Sequence, residues 1–206
     1  MTVSFTVIRR GDTQIEILSQ GEGPLIVLLP SLGRGAEDFA AIAERIAAAG
    51  FRVLRPQPRG IGRSHGPMSG IDLHDYANDV AAVIERANGG PAFVVGHAFG
   101  NRVARLLATT RPDLVRAVGL IAANVGRDPS PPKVREADYA AGHAPVLYLQ
   151  PDHDPLAHVE NAEAYRRALG ARVTVVVIPH ASHAAIAEQP DFIARELVAY
   201  ARRLPA

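Results

Sequence analysis

Two polar segments carry the residue types that acid–base chemistry needs. Q-P-D-H-D-P contains Asp152 and Asp154, and I-P-H-A-S-H-A contains His180 and His183. An imidazole can take up and return a proton near neutral pH, and a carboxylate that accepts one ring N–H fixes its tautomer. We expect Asp154 to be that carboxylate, with Asp152 forming the local turn. We expect His183, rather than His180, to be the general base.

A third segment, G-H-A-F-G at 96–100, has the glycine spacing of the G-x-S-x-G nucleophile elbow. That elbow is a sharp turn between a strand and a helix, and it lifts its central side chain above the sheet. Gly96 and Gly100 occupy the glycine positions, and Ala98 occupies the position of the nucleophile. Alanine has no nucleophilic group. A turn whose glycines serve packing alone is the alternative interpretation.

The H-x-x-H spacing of His180 and His183 could also indicate a metal pair. We do not favour it, because no helix is predicted there to place both rings on one face. The chain has no cysteine, and the sequence offers no obvious third ligand. We therefore expect neither a metal nor another cofactor.

Strand and helix patterns alternate along the chain, which predicts an α/β fold with a mostly parallel central sheet. The predicted strands are 3–9, 13–18, 24–30, 51–56, 92–97, 115–123, 144–151 and 172–179. The predicted helices are 36–50, 72–88, the segment from the elbow to about 110, 157–169 and 189–204. The turn R-G-D at 10–12 predicts that the first two strands form an antiparallel hairpin. We interpret 1–206 as a single domain.

All these polar segments follow predicted strands, and ligands of open parallel sheets bind at the carboxyl ends of the strands. The loop L-L-P-S-L-G-R-G also follows a strand. Next to a nucleophile elbow, such a loop supplies one backbone N–H to an oxyanion hole, and the residue after the nucleophile supplies another. These amides would be those of Leu32 and Phe99. Ser31 and His97 are candidates to line the pocket, and we weigh both as weaker substitute nucleophiles.

The four loops together resemble the α/β-hydrolase superfamily, in which nucleophile, acid and histidine follow one another as positions 98, 154 and 183 do here. R-P-Q-P-R-G-I-G-R-S is similar to that family's Asp-x-Arg-Gly-x-Gly-x-Ser loop, and E-Q-P-D-F is similar to the entry of its last helix. The resemblance covers essentially the whole chain. It implies helices on both faces of the sheet.

The chain departs from the family pattern at several positions. Pro30-Ser31 replaces the usual His-Gly, Gln57 replaces an acidic residue, and Ser182 stands where a glycine often precedes the histidine. Only 17 residues, 127 to 143, separate Gly126 from Ala144. That is too short for a cap domain, so we expect an open site without a lid.

The resemblance implies an esterase-like acyl hydrolase of Ser-His-Asp type acting on a small acyl substrate, with its nucleophile replaced by Ala98. The alanine is either an introduced Ser→Ala change or a native loss. In a third reading, His183 activates water directly. From another functional class, the alternative is a non-catalytic module that binds a small ligand or a protein.

Composition restricts the remaining classes. The formal net charge of the 206 residues is +1, and 48% of them are hydrophobic. We expect no nucleic-acid partner, because no basic block stands out. We expect no membrane partner and a cytoplasmic location, because the sequence lacks an apolar run of spanning length and a signal peptide. The sequence leaves the oligomeric state open.

Overall fold

The computed structural model describes residues 2–124 and 140–205, and within these ranges eight strands form one sheet. Continuous apolar runs form the central strands because both of their faces are buried. The strands are β1 Ser4–Arg10, β2 Thr13–Gln20, β3 Leu25–Leu29, β4 Arg52–Pro56, β5 Ala92–His97, β6 Val115–Ile121, β7 Val146–Pro151 and β8 Val173–Ile178.

Helices occupy the connections between most of these strands. Their bounds are α1 Ala40–Ala48, α2 Leu73–Ala87, α3 Phe99–Thr110, α4 Val159–Leu169, α5 Ala185–Glu188 and α6 Pro190–Ala201. The helix predicted at 36–50 begins instead as a 3-10 turn, Ala36–Phe39, that leads into α1. Tertiary partners hold this turn, since the Ala36 N–H donates to the Gln57 side chain and the Ala36 carbonyl accepts from Arg55.

The strand order across the sheet is β1-β2-β4-β3-β5-β6-β7-β8. β1 pairs antiparallel with β2 and β2 antiparallel with β4, whereas the pairs from β4 through β8 are parallel. The predicted fold class, including the N-terminal hairpin, is therefore confirmed. The carboxyl ends of the parallel strands meet along one edge, so the loops that follow β3, β5, β7 and β8 lie on the same side.

Two apolar clusters cover the two faces of the sheet. Alternate residues of β5 point to opposite faces: Val94 packs with α2 and α3, and Phe93 packs with α1 and α6. The 17 residues 127 to 143 leave room for one short helix or a loop, and of these, 127 to 139 lie outside the described residues. In the described ranges no cap domain stands between β6 and β7. They also contain no helix long and apolar enough to cross a membrane.

Candidate active site

The turn at 96–100 joins β5 to α3, as the sequence predicts. Ala98 lies between them with φ 49° and ψ −110°, a backbone conformation that non-glycine residues rarely adopt. A Cβ on Gly96 would lie 2.2 Å from the Gly100 carbonyl carbon, and a Cβ on Gly100 would lie 2.3 Å from the Leu29 carbonyl oxygen. Both positions therefore require glycine, and the turn has the strained geometry of a nucleophile elbow.

A buried amide fixes the helix that follows this turn. Asn101 Nδ2 donates to the Ile121 carbonyl oxygen over 2.9 Å, and Asn101 Oδ1 accepts from the Ile121 N–H over 3.1 Å. The Ala98 N–H donates to the same carbonyl over 3.2 Å. These bonds tie the elbow to the end of β6. Asn101 was not among the predicted site residues, although a polar residue one position after the second glycine of the elbow was a usable signal.

Asp154 and His183 come together in the folded chain. Asp154 Oδ2 lies 2.8 Å from His183 Nδ1. The other carboxylate oxygen accepts the N–H groups of Leu156 and Ala157 over 2.8 and 3.0 Å, so the Asp154 carboxylate is held by its own loop. The Asp154 side chain is fully buried, and that of His183 is 28% exposed. A ring that donates from Nδ1 to a carboxylate keeps its Nε2 lone pair available for a proton.

Asp152 lies in a local turn directly after β7, and its side chain also binds a second loop. Its carboxylate accepts the N–H groups of His180 and Ala181 over 2.9 and 3.0 Å, and His153 Nδ1 lies 2.6 Å away. The hydrogen bond from Ala181 is the largest of the causes that lower the pKa of Asp152 well below its usual range. Asp152 thus links the loop after β7 to the loop that carries His183. Sequence alone gave no sign of this long-range pairing.

His97, the last residue of β5, binds the main chain of the loop that carries His183. Its Nε2 lies 2.8 Å from the His183 carbonyl oxygen, and because a carbonyl only accepts, this nitrogen carries the proton. The two imidazole rings have their centroids 5.3 Å apart. His97 Nδ1 is buried and has no hydrogen-bond partner among the described residues. Burial is the main cause that lowers the pKa of His97, which favours the neutral ring.

The neighbours of Gln57 explain why an amide stands here in place of the acidic residue of the family pattern. Gln57 Oε1 accepts the Ala36 N–H over 2.9 Å, while Gln57 Nε2 donates to Glu37 Oε1 over 2.7 Å. A carboxylate at this position could not donate to Glu37 and would repel it. The side-chain amide therefore suits its neighbours here. Ser182 is likewise paired, because its N–H and Oγ both donate to Glu188 over 2.7 Å.

Of the two residues proposed for the oxyanion hole, Phe99 begins a helix and Leu32 lies in an exposed loop. Phe99 is the first residue of α3, so its N–H has no acceptor within the helix. Leu32 lies in the loop after β3 and is 67% exposed. Ser31, in the same loop, is partly exposed.

A pocket opens beside the elbow, between the strand ends and helices α2 and α3. Its walls include Leu29, Pro30, Tyr76, Phe99 and Val103. The Tyr76 and Phe99 rings meet edge to face with centroids 5.3 Å apart. Ser31 and His97, our candidates to line a pocket, are not among the described residues that line this one.

Metal-ligating side chains do not gather around His180 and His183. Across residues 2–124 and 140–205, no group of three or more histidine, aspartate or glutamate side chains is placed to hold a metal ion.

Comparison with known proteins places this geometry in context. Residues 24–144, more than half of the chain, match the family model of the alpha/beta hydrolase fold. The chain is 32% identical over 108 residues to 2-(acetamidomethylene)succinate hydrolase of Mesorhizobium japonicum, a match that covers 52% of this chain and 38% of that protein. It is 32% identical over 106 residues to epoxide hydrolase B of Mycobacterium tuberculosis, covering 50% and 29% of the two chains. The matches thus span well under half the length of these relatives.

Solved structures resemble the fold along nearly the whole chain. A predicted CIB-like hydrolase from Thermoplasma acidophilum has a TM-score of 0.83 at 16% identity, with 99% of this chain and 100% of that one covered. The structure of E-2-(acetamidomethylene)succinate hydrolase has a TM-score of 0.82 at 20% identity, with coverage of 98% and 100%. At these identities the likeness concerns the fold alone.

Proposed function

Since the chain belongs to the α/β-hydrolase family, we propose that its site is the acyl-hydrolase machinery of Ser-His-Asp type with Ala98 in the nucleophile position. The observation that carries this proposal is the 2.8 Å contact between Asp154 Oδ2 and His183 Nδ1, in loops at the same sheet edge as the strained elbow. An oriented imidazole beside an elbow is the arrangement that acyl transfer requires.

Each group has a defined role in the proposed reaction. A serine at position 98 would attack the carbonyl carbon of an ester while His183 Nε2 takes its proton. The N–H groups of Phe99 and Leu32 would stabilise the oxyanion, and His183 would then protonate the leaving alkoxide. Water would release the acid in a second, equivalent step. Asp154 would hold the His183 tautomer, and His97 would position its main chain.

The chain with Ala98 lacks the first step. We propose that it binds acyl compounds in this site and hydrolyses them slowly, through the remaining imidazole and amides. In a well-studied serine protease, loss of the nucleophile costs on the order of 10⁶ in kcat. Ala98 also favours a second candidate function, a binding module for small ligands that has no need of a nucleophile.

Turnover of p-nitrophenyl butyrate by the chain and by its Ala98→Ser variant tests the proposal. We expect the serine variant to exceed the alanine chain in kcat by at least about 10³, and we expect His183→Ala in the serine background to remove most of the gain. Equal rates for the alanine chain and the serine variant would instead indicate water activation by His183. No turnover by either would favour the binding module.

A further inference from the structure

The pocket beside the elbow lies on one side of the candidate catalytic pair. Its walls come from β2, from the ends of β3 and β4, and from α2 and α3, and they include Pro30, Pro56 and Phe99. In the sheet order β2-β4-β3-β5-β6-β7-β8, these strands lie on one side of β5, and β7 and β8 lie on the other. The elbow follows β5, whereas Asp154 and His183 follow β7 and β8. The pocket and the pair thus flank position 98.

This placement decides which part of an ester the pocket would take. In the proposed reaction the leaving oxygen must face His183, because it receives its proton from that ring. The remaining substituent of the carbonyl carbon then points away from β8, toward β3 and β4. Phe99 supplies both a wall of the pocket and the N–H proposed for the oxyanion hole, so the pocket adjoins the position proposed for that carbonyl carbon.

The charged side chains of the pocket, Arg59 and Asp79, and the amide of Gln57 already have hydrogen-bond partners. Arg59 Nε and Nη2 donate to the two oxygens of Asp79 over 2.6 and 2.9 Å, and Arg59 Nη1 donates to the Pro67 carbonyl over 3.1 Å. The side chains of Arg59 and Asp79 are 2% and 8% exposed. Gln57 is engaged on both its oxygen and its nitrogen. A carboxylate on the acyl chain would therefore meet a cation that is already neutralised and would lose its hydration without a partner.

The pocket is narrow as well as apolar. The empty space between its walls is about 420 Å³, part of it open to solvent, but the centre of a water molecule fits in only about 40 Å³ of it. Val80 and Val103 form part of its buried wall, with 6% and 4% exposure. A slender methylene chain suits such a space better than a branched or aromatic group does.

We propose that this pocket binds the short, straight and uncharged acyl chain of the substrate. The inference rests on the proposed acyl-hydrolase function, and it assigns Val80 and Tyr76 as residues that set acyl-chain length. Both residues line the pocket from α2, and the Tyr76 ring packs edge to face on Phe99, which also lines it.

The test uses the Ala98→Ser variant and p-nitrophenyl esters from acetate to decanoate, with kcat/KM measured for each. We expect kcat/KM to rise about threefold to fourfold for each methylene group that the pocket buries. The rise should end at a short chain length. Mono-p-nitrophenyl succinate, which has a charged acyl chain, should react at least about a hundredfold more slowly than butyrate.

Two substitutions in the Ala98→Ser background should shift this profile in opposite directions. Val80→Leu adds volume to the wall and should lower the butyrate-to-acetate ratio of kcat/KM by about tenfold. Tyr76→Ala opens the pocket and should move the optimum to longer chains. Val177→Leu, the matched change at a 48% exposed position on β8, should leave the profile of the parent variant unchanged.

Labelling with an ethyl fluorophosphonate probe separates the two ways in which the proposal can fail. In one case the Ala98→Ser variant is labelled and cleaves the acetate ester, but neither Val80→Leu nor Tyr76→Ala changes its chain-length profile. The acyl pocket is then wrong and the hydrolase function stands. Faster cleavage of the succinate ester than of butyrate would also refute the pocket. If the serine variant neither reacts with the probe nor cleaves any ester, the hydrolase function is wrong, and the pocket assignment falls with it.

Discussion

Ala98 adopts a conformation that costs free energy in any residue with a side chain. Its φ of 49° combines with a ψ of −110°, and such positions typically cost about 1–3 kcal/mol. The folded chain keeps this strain because the Ala98 N–H and the neighbouring Asn101 are bonded to the end of β6. The turn therefore keeps a strained backbone at position 98 although alanine has no nucleophilic group.

Ala98→Gly should relieve this strain. Glycine adopts positive φ readily, so we expect the variant to gain about 1 kcal/mol in the free energy of unfolding, even though glycine also adds entropy to the unfolded chain. The same substitution at Ala41, an exposed position of α1, should cost about 1 kcal/mol. Urea unfolding of both variants measures the difference. A loss of stability in Ala98→Gly as large as that in Ala41→Gly would show that the elbow is unstrained.

His97 contributes a buried neutral imidazole to the site. Burial lowers its pKa from the ordinary value of 6.5, so between the folded value and about 6.5 the folded protein binds fewer protons than the unfolded chain. The contribution of neutral His97 to the free energy of unfolding is therefore fully present above about pH 6.5. It is lost as the pH falls from there to the lower pKa of the folded state. Protonation would also place a positive ring beside His183.

Replacing His97 by asparagine should remove this contribution to the pH dependence. Between about pH 7.5 and about pH 5, we expect the parent chain to lose more unfolding free energy than His97→Asn, by about 1 kcal/mol per pH unit inside the window. Denaturant unfolding at several pH values measures both curves, and His74→Asn, at an exposed position of α2, is the matched control. Parallel curves for the parent and His97→Asn would contradict a neutral buried ring.

At the scale of elements, the elbow depends on how closely α3 approaches the sheet. Gly100 lies against the main chain of Leu29 at the end of β3, and Gly96 lies against Gly100 itself. Side chains at either position would push α3 away from β3 and β5. The two glycines therefore set the height of residue 98 above the strands.

Gly96→Ala should consequently destabilise the protein by about 3 kcal/mol or more, because the new Cβ meets main-chain atoms that cannot move independently. Gly170→Ala is the control: Gly170 has φ 70° and ψ −148°, but a Cβ there meets no atom within 4 Å, so only the backbone strain remains and the expected cost is about 1–3 kcal/mol. Thermal unfolding compares the two. Equal losses would mean that close packing at the elbow is unimportant.

The elements and their order could be predicted because local patterns carry them. The apolar run of β3 and the turn at 10–12 gave the strand and the hairpin, and the glycine spacing gave the elbow. The 3-10 form of the first turn of the helix predicted at 36–50 could not be predicted, because Gln57 and Arg55, which bind the backbone of Ala36, are distant in the sequence. The cross-loop role of Asp152 was missed for the same reason, since its partners, His180 and Ala181, follow a different strand.

On the scale of the whole molecule, the sheet topology brings the candidate groups together. Apolar clusters fix both faces of the sheet, so the loops at its carboxyl edge are held in register by strands that are buried on both sides. Sequence order was enough to predict that positions 98, 154 and 183 share this edge. The pocket was beyond prediction, because its walls combine five segments whose spacing only the folded chain determines.

The most direct test of the account is the rate of covalent labelling of Ala98→Ser by a fluorophosphonate, followed by intact mass. We expect one adduct, on residue 98, and none on the chain with Ala98. We also expect that His183→Ala in the serine background slows labelling by at least about 10³, since the imidazole activates the hydroxyl. An unlabelled serine variant, or one labelled equally fast without His183, would contradict the claim that this site is acyl-transfer machinery lacking only its nucleophile.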